Sequence, residues 1–151
     1  MDLNLQFPAE WERAKEIKFA QGFTSPAPRD FVGFGPLTEP EALSIYNFTL
    51  QNTFRLILSY HTQGEVIFWK YLDYEPEDAE RIANEFARVS GYQLVAEASE
   101  SYAGYRDWFI STYFRPGYTV ETGLGVNPLP INQFDKIYRD NLGILLLGAV
   151  L

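Results

Sequence analysis

The segment PEDAERIANEFARVS, residues 76–90, constrains the fold most. Ile82, Phe86 and Val89 recur on one face at helical spacing, charged residues fill the opposite face, and Gly91 follows as a stop. A helix patterned this way gains little stability alone and must lay its apolar stripe on another layer. The flanking sequence predicts that layer. Residues 54–60, FRLILSY, enter with Arg55 and run Leu56-Ile57-Leu58, as in a strand covered on both faces. EVIFW at 65–69, residues 92–96 and YTVET at 118–122 read as three further strands. Helices are expected at 8–18, from about 39 to 52, from about 104 to 113, and from 131 onward. Thr38 followed by Glu41 fits a capping box for the second of these, with Pro40 in its first turn. Between the first two helices, residues 22–36 carry Pro26, Pro28, Pro36, Gly22, Gly33 and Gly35 and predict no regular structure. A loop of that length is either a binding surface or a connector. Helices alternating with apolar strands give an α/β layered sheet, without internal repeats, in a single domain over 1–151.

Composition narrows the partners. With 46% hydrophobic and 17% aromatic residues, the 151-residue chain can bury about 68–70% of its unfolded surface. A net charge of −8, with no basic stripe among 12 Lys and Arg, argues against nucleic acid. The absence of cysteine excludes disulfides, thiolate metal sites and a cysteine nucleophile. The start, MDLNLQF, shows no signal peptide, so the chain as given is expected in the cytoplasm, while a longer relative could be exported. The tail NLGILLLGAVL is apolar over about ten residues, half of the roughly 20 that a membrane span needs, and predicts a buried terminal helix.

Chemistry concentrates at two strand ends. His61, the only histidine, follows the apolar run at the carboxyl end of a strand, where open α/β sheets place ligand and catalytic groups. It is either a satisfied polar group or a metal ligand. Glu121 occupies the like position in YTVETG, where an uncompensated buried carboxylate is costly and calls for a partner or a raised pKa. It is either a general base or an edge-strand residue paired with Arg106 or Arg115. No phosphate-binding Gly-rich loop and no Gly-x-Ser-x-Gly elbow is present. Trp11, Trp69 and Trp108 belong either to a core or to a sugar-binding face.

Six segments, DLNLQFPAEW, PRDFVGFGPLTEPEA, SYHTQGEVIFW, AGYRDWF, RPGYTVETG and GVNPLPINQFDKIY, occur in the order found in the zinc carboxypeptidase family. The chain resembles the C-terminal half of that catalytic domain, especially the bacterial γ-D-glutamyl-diaminopimelate endopeptidase branch. The resemblance implies a three-layer α/β/α fold with a mixed sheet, incomplete at the N-terminus. It implies zinc as cofactor, with His61 as one metal ligand, and Glu121 as the carboxylate that activates the attacking water. Asn4 and Tyr102 match substrate-binding positions. Leu5 stands where the family has an arginine that would grip a C-terminal carboxylate, which argues against simple C-terminal trimming and leaves either endopeptidase action or a different clamp open.

The family's His-x-x-Glu ligands lie upstream of DLN, so this chain is expected to bind zinc poorly and to be inactive alone. The implied substrate is a peptide, of the kind found in peptidoglycan stems. A non-catalytic peptide or cell-wall binding module is the alternative. An exposed sheet edge is expected to promote self-association.

Overall fold

The computed structural model describes residues 1–96 and 102–151. In chain order the elements are α1 (Trp11–Ala20), α2 (Pro40–Leu50), β1 (Ile57–His61), β2 (Val66–Phe68), α3 (Ala79–Ser90), β3 (Gln93–Val95), α4 (Tyr105–Tyr113), β4 (Gly117–Glu121) and α5 (Phe134–Val150). Short 3-10 turns occupy Leu3–Leu5 and Ile131–Gln133. The chain forms an α/β fold divided into two compact units, one of Met1–Arg55 with Ser99–Tyr113 and one of Leu56–Ala98 with Phe114–Leu151.

The second unit holds the sheet, in the order β1-β4-β2-β3. β1 runs parallel to β4, β2 antiparallel to β4, and β2 parallel to β3, so the sheet is mixed. Side chains alternate across a strand, and the register therefore sorts them by face. Leu58, Tyr118, Val120, Ile67 and Leu94 share one face and pack into a core with Ile82 and Phe86 of α3 and Ile144 of α5. Phe86 meets the Tyr118 ring edge to face at 5.1 Å, and the buried Tyr118 hydroxyl donates to the Ala79 carbonyl at 3.0 Å. α3 and α5 approach closely because Gly143 has no side chain: a methyl there would lie 2.9 Å from Val89. Gly91 ends α3 in the left-handed conformation, φ +76°.

In the first unit, Phe7, Ala42 and Trp108 form one apolar cluster and Leu5, Trp11, Ala14, Val32 and Ala103 another. All three tryptophans are buried, which assigns them to cores. Residues 22–36 contain no helix or strand. They are organised by the fully buried Gln6, whose amide nitrogen donates to the carbonyls of Val32 (2.6 Å) and Gly35 (3.3 Å).

Several boundaries depart from expectation, each for a tertiary reason. α1 begins at Trp11, not near residue 8, because the Phe7 and Glu10 amides are spent on the carbonyls of Ala103 and Tyr102. Thr38 does not cap α2. Its amide and hydroxyl both donate to Gln6 Oε1, and Glu39 takes the cap position without a side-chain bond. β1 starts at Ile57, where pairing with β4 begins, and it ends on His61 instead of before it. α3 starts at Ala79, after Asp78 adopts φ +64°. The terminal helix is only half buried: Asn141 and Ile144 face inward, whereas Leu145, Leu146 and Val150 are exposed. Among the described residues no helix is long and apolar enough to cross a membrane.

Candidate functional site

His61 and Glu121 are the last residues of β1 and β4, and they are direct partners in the parallel register. Because positions alternate, both lie on the face opposite Leu58, Tyr118 and Val120, away from α3 and α5. Neighbours in register on one face stand side by side, so the imidazole and the carboxylate belong to one locus at the carboxyl ends of two parallel strands.

The chain beyond each residue is stapled to the other. The Thr122 amide and hydroxyl both donate to the His61 carbonyl, at 2.9 and 3.1 Å. The Gly64 amide donates to the Gly123 carbonyl at 2.8 Å, and the Asn127 side-chain amide donates to the Thr62 carbonyl at 3.0 Å. Gln133 closes the 122–130 segment by bonding both the amide (3.1 Å) and the carbonyl (2.7 Å) of Leu124. Lys136 pairs with Glu65 and with Asp140, each at 2.6 Å, and ties the turn after His61 to α5. These bonds satisfy backbone groups where the ladder stops, and they hold the two strand ends at one spacing.

Glu121 is half-buried, and that burial pushes its carboxyl pKa above the ordinary value. Among the described residues no hydrogen bond or ion pair engages its carboxylate. The expected alternative, an ion pair to Arg106 or Arg115, is therefore corrected: Arg106 pairs instead with Asp107 at 2.6 Å, both buried. A desolvated carboxylate without a cationic partner is a better proton acceptor than an exposed one. His61, also half-buried, supplies a ring nitrogen suited to a divalent metal. Among the described residues no group of three or more His, Asp or Glu can hold a metal ion, so the donor set is short of the three protein ligands that catalytic zinc takes.

Asn4 and Tyr102 lie in the first unit. Asn4 is exposed in the Leu3–Leu5 turn, its amide bonded to Asp2 Oδ1 at 3.1 Å. It adjoins Gly104, where an added methyl would sit 3.2 Å from Asn4 Oδ1. Tyr102 is half-buried against the cluster of Leu5 and Trp11, with the Arg13 guanidinium over its ring at 4.0 Å. Thr122, Asn127 and Gln133 are positioning residues that the one-dimensional pattern did not single out. Their only local signal is the Gly- and Pro-rich stretch GLGVNPLP that follows β4.

A family model for zinc carboxypeptidase matches residues 1–143, and the chain belongs to that family. It is 48% identical over 151 residues to gamma-D-glutamyl-L-diamino acid endopeptidase 1 of Lysinibacillus sphaericus, covering 100% of this chain and 37% of that protein. It is also 48% identical over 147 residues to the uncharacterized protein YqgT of Bacillus subtilis (strain 168), covering 96% of this chain and 38% of the relative. The chain thus spans little more than a third of the length of these curated relatives. Solved structures share the fold. Bovine thrombin-activatable fibrinolysis inhibitor in complex with tick carboxypeptidase inhibitor matches with a TM-score of 0.75 at 18% identity, over 98% of this chain and 55% of that one. Carboxypeptidase A from Helicoverpa armigera matches with a TM-score of 0.61 at 18% identity, over 98% and 41%.

Proposed function

We propose that residues 1–151 are the C-terminal part of a zinc metallopeptidase catalytic domain that hydrolyses peptides, with peptidoglycan stem peptides as the substrate class. One observation carries the reading: His61 and Glu121 are in-register neighbours on the same face at the carboxyl ends of two parallel strands. In this reading His61 is one of three protein ligands to zinc, and the others come from polypeptide outside this chain. When bound, the metal supplies carbonyl polarisation and a water acidified to about pKa 7.

The chain's own residues then have separate tasks. Glu121, desolvated and without a cationic partner, takes the proton from the attacking water. Asn4 and Tyr102 contact the substrate. Leu5, buried at the family's arginine position, offers no charged grip for a C-terminal carboxylate, which supports cleavage inside a peptide. The sheet order leaves β1 at an edge, and that edge favours self-association of the isolated chain, measurable by light scattering.

The direct test uses a γ-D-glutamyl-diaminopimelate peptide with and without zinc. The 151-residue chain is expected to be inactive. A longer version that includes an upstream His-x-x-Glu is expected to cleave in a zinc-dependent manner, and Glu121→Gln in it to lose roughly 10²–10⁴ in kcat, the usual worth of a general base. Zinc-dependent turnover by the 151-residue chain would remove the claim of an incomplete site. Full activity in the Glu121→Gln variant would remove Glu121 as the base. Peptide binding without turnover in the longer version would favour a binding module.

A further inference from the structure

We propose that Tyr92 is a positioning residue for Glu121, acting through its hydroxyl from the core side of the sheet; the role rests on the peptidase reading above. The sheet order places β4 between β1 and β2. Residues 62–65, which join β1 to β2, must therefore arch over the end of β4, where Glu121 is the last residue in register. The arch lies close to the base: a methyl added to Gly64 would fall 3.9 Å from Glu121 Cβ. Glu65 in the same arch takes φ +50°, which a residue with a side chain holds only where its surroundings over-determine it.

Residues 92 and 93 supply that hold. The Gln93 amide donates to the Glu65 carbonyl at 2.9 Å. Tyr92 is buried in the core shared by α3, α5 and the sheet, and its hydroxyl accepts from Asn141 Nδ2 at 2.9 Å. The same hydroxyl is hydrogen-bonded to the backbone of Gly123. The Gly123 carbonyl in turn accepts from the Gly64 amide at 2.8 Å. One phenol thus holds, through Gly123, both the chain that leaves Glu121 and the arch that crosses it. No side-chain bond fixes the Glu121 carboxylate among the described residues, so its placement depends on its backbone.

The Tyr92–Asn141 pair serves placement more than stability. Asn141 is buried, and while its Nδ2 also donates to the Ile137 carbonyl at 2.8 Å, its Oδ1 meets no donor among the described residues. A buried acceptor without a partner is costly, whereas replacing two bonded polar partners by apolar groups of like shape is often neutral or favourable. Phenylalanine at 92 and leucine at 141 would suit this core at least as well. What they lose is the grip on Gly123.

The test compares Tyr92→Phe with Tyr118→Phe, which deletes another buried hydroxyl of the same core, the one bonded to the Ala79 carbonyl. In the ¹⁵N-labelled 151-residue chain, hydrogen exchange of the Gly64 amide should quicken about tenfold or more in Tyr92→Phe relative to Tyr118→Phe. In the longer, zinc-containing version, Tyr92→Phe should lower kcat on the γ-D-glutamyl-diaminopimelate peptide about tenfold or more with KM within about twofold, since misplacing a catalytic group by about 1 Å can cost roughly 10²-fold. Tyr118→Phe should keep kcat within about twofold. The double variant Tyr92→Phe/Asn141→Leu should match the parent's urea midpoint and still show the low kcat. If Tyr92→Phe does not fold, Asn141→Leu, which releases the same hydroxyl, replaces it with the same direction expected. Unchanged exchange at Gly64, an unchanged kcat in Tyr92→Phe, an equal loss in Tyr118→Phe, or a kcat recovered in the double variant would each overturn the role. A longer parent that cleaves nothing would remove the peptidase reading and the positioning role with it, and the exchange rates would then report only whether Tyr92 holds the arch.

Discussion

The backbone carbonyl of His61 receives two hydrogen bonds from one residue, the amide and the hydroxyl of Thr122 at 2.9 and 3.1 Å. The residue that follows Glu121 therefore clamps the residue that pairs with Glu121, and the spacing of the two strand ends is set by a threonine with no chemical role of its own. Thr122→Val keeps the amide bond and removes the hydroxyl bond at a buried position. A loss of about 0.5–1.5 kcal/mol in urea unfolding is expected. An unchanged midpoint would show that the hydroxyl bond contributes nothing.

Glu121 makes the opposite prediction for stability. Burial raises its folded pKa above the ordinary value of 4.5, so the unfolded chain ionises first as pH rises. Stability from this group is greatest below about pH 4 and falls as pH climbs toward the folded pKa. Glu121→Gln removes the desolvation penalty. The variant should be more stable than the parent at pH 7, by less than about 1 kcal/mol because solvent screens a half-exposed group, and the difference should vanish near pH 4. Paired urea titrations at the two pH values measure it. A variant less stable at pH 7 would mean that the carboxylate makes a favourable contact in the folded chain.

Gly123 cannot accept a side chain. Its φ is +71°, and an added methyl would fall 2.6 Å from Leu129 Cδ1 and 2.9 Å from Ile137 Cδ1. Gly123→Ala should cost about 1–3 kcal/mol from overpacking. The left-handed backbone adds about 1 kcal/mol more. Thermal unfolding reports this, and a variant as stable as the parent would show that the 122–130 segment is free to shift.

What could be read in advance was local. The stripe of Ile82 and Phe86 and the stop at Gly91 determine α3 almost unaided, since one turn of helix repeats the same signal over 12 residues. The strands were detectable as apolar runs, but their ends were not, because β1 stops and starts where β4 offers partners. The pairing of position 61 with position 121 is a register, and a register between strands 60 residues apart leaves no mark in either strand alone. Thr38 misled for a related reason: a capping pattern four residues long was outcompeted by one buried amide 32 residues away. The bonds of Thr122, Asn127 and Gln133 were likewise invisible, because each joins segments that become neighbours only when the sheet forms.

Gln6 offers the sharpest test of how residues 22–36 are ordered. It is fully buried, and its Oε1 accepts from the Thr38 amide (3.0 Å), the Thr38 hydroxyl (2.9 Å) and the Glu39 amide (3.3 Å), while its Nε2 donates to Val32 and Gly35. One side chain therefore fixes both the end of the long loop and the entry to α2. Gln6→Ala leaves the Val32 carbonyl and the Thr38 amide without these partners, at about 1–3 kcal/mol for each group that water cannot reach. The cost should appear first as local opening, because the loop has little other regular bonding. Arg29 lies in that loop with its side chain 82% exposed, so trypsin should cut after it several times faster in Gln6→Ala than in the parent, at temperatures where both remain folded. Equal cutting rates would mean that the buried Phe31 and Val32 hold the loop by packing alone, and that the Gln6 hydrogen bonds are replaceable.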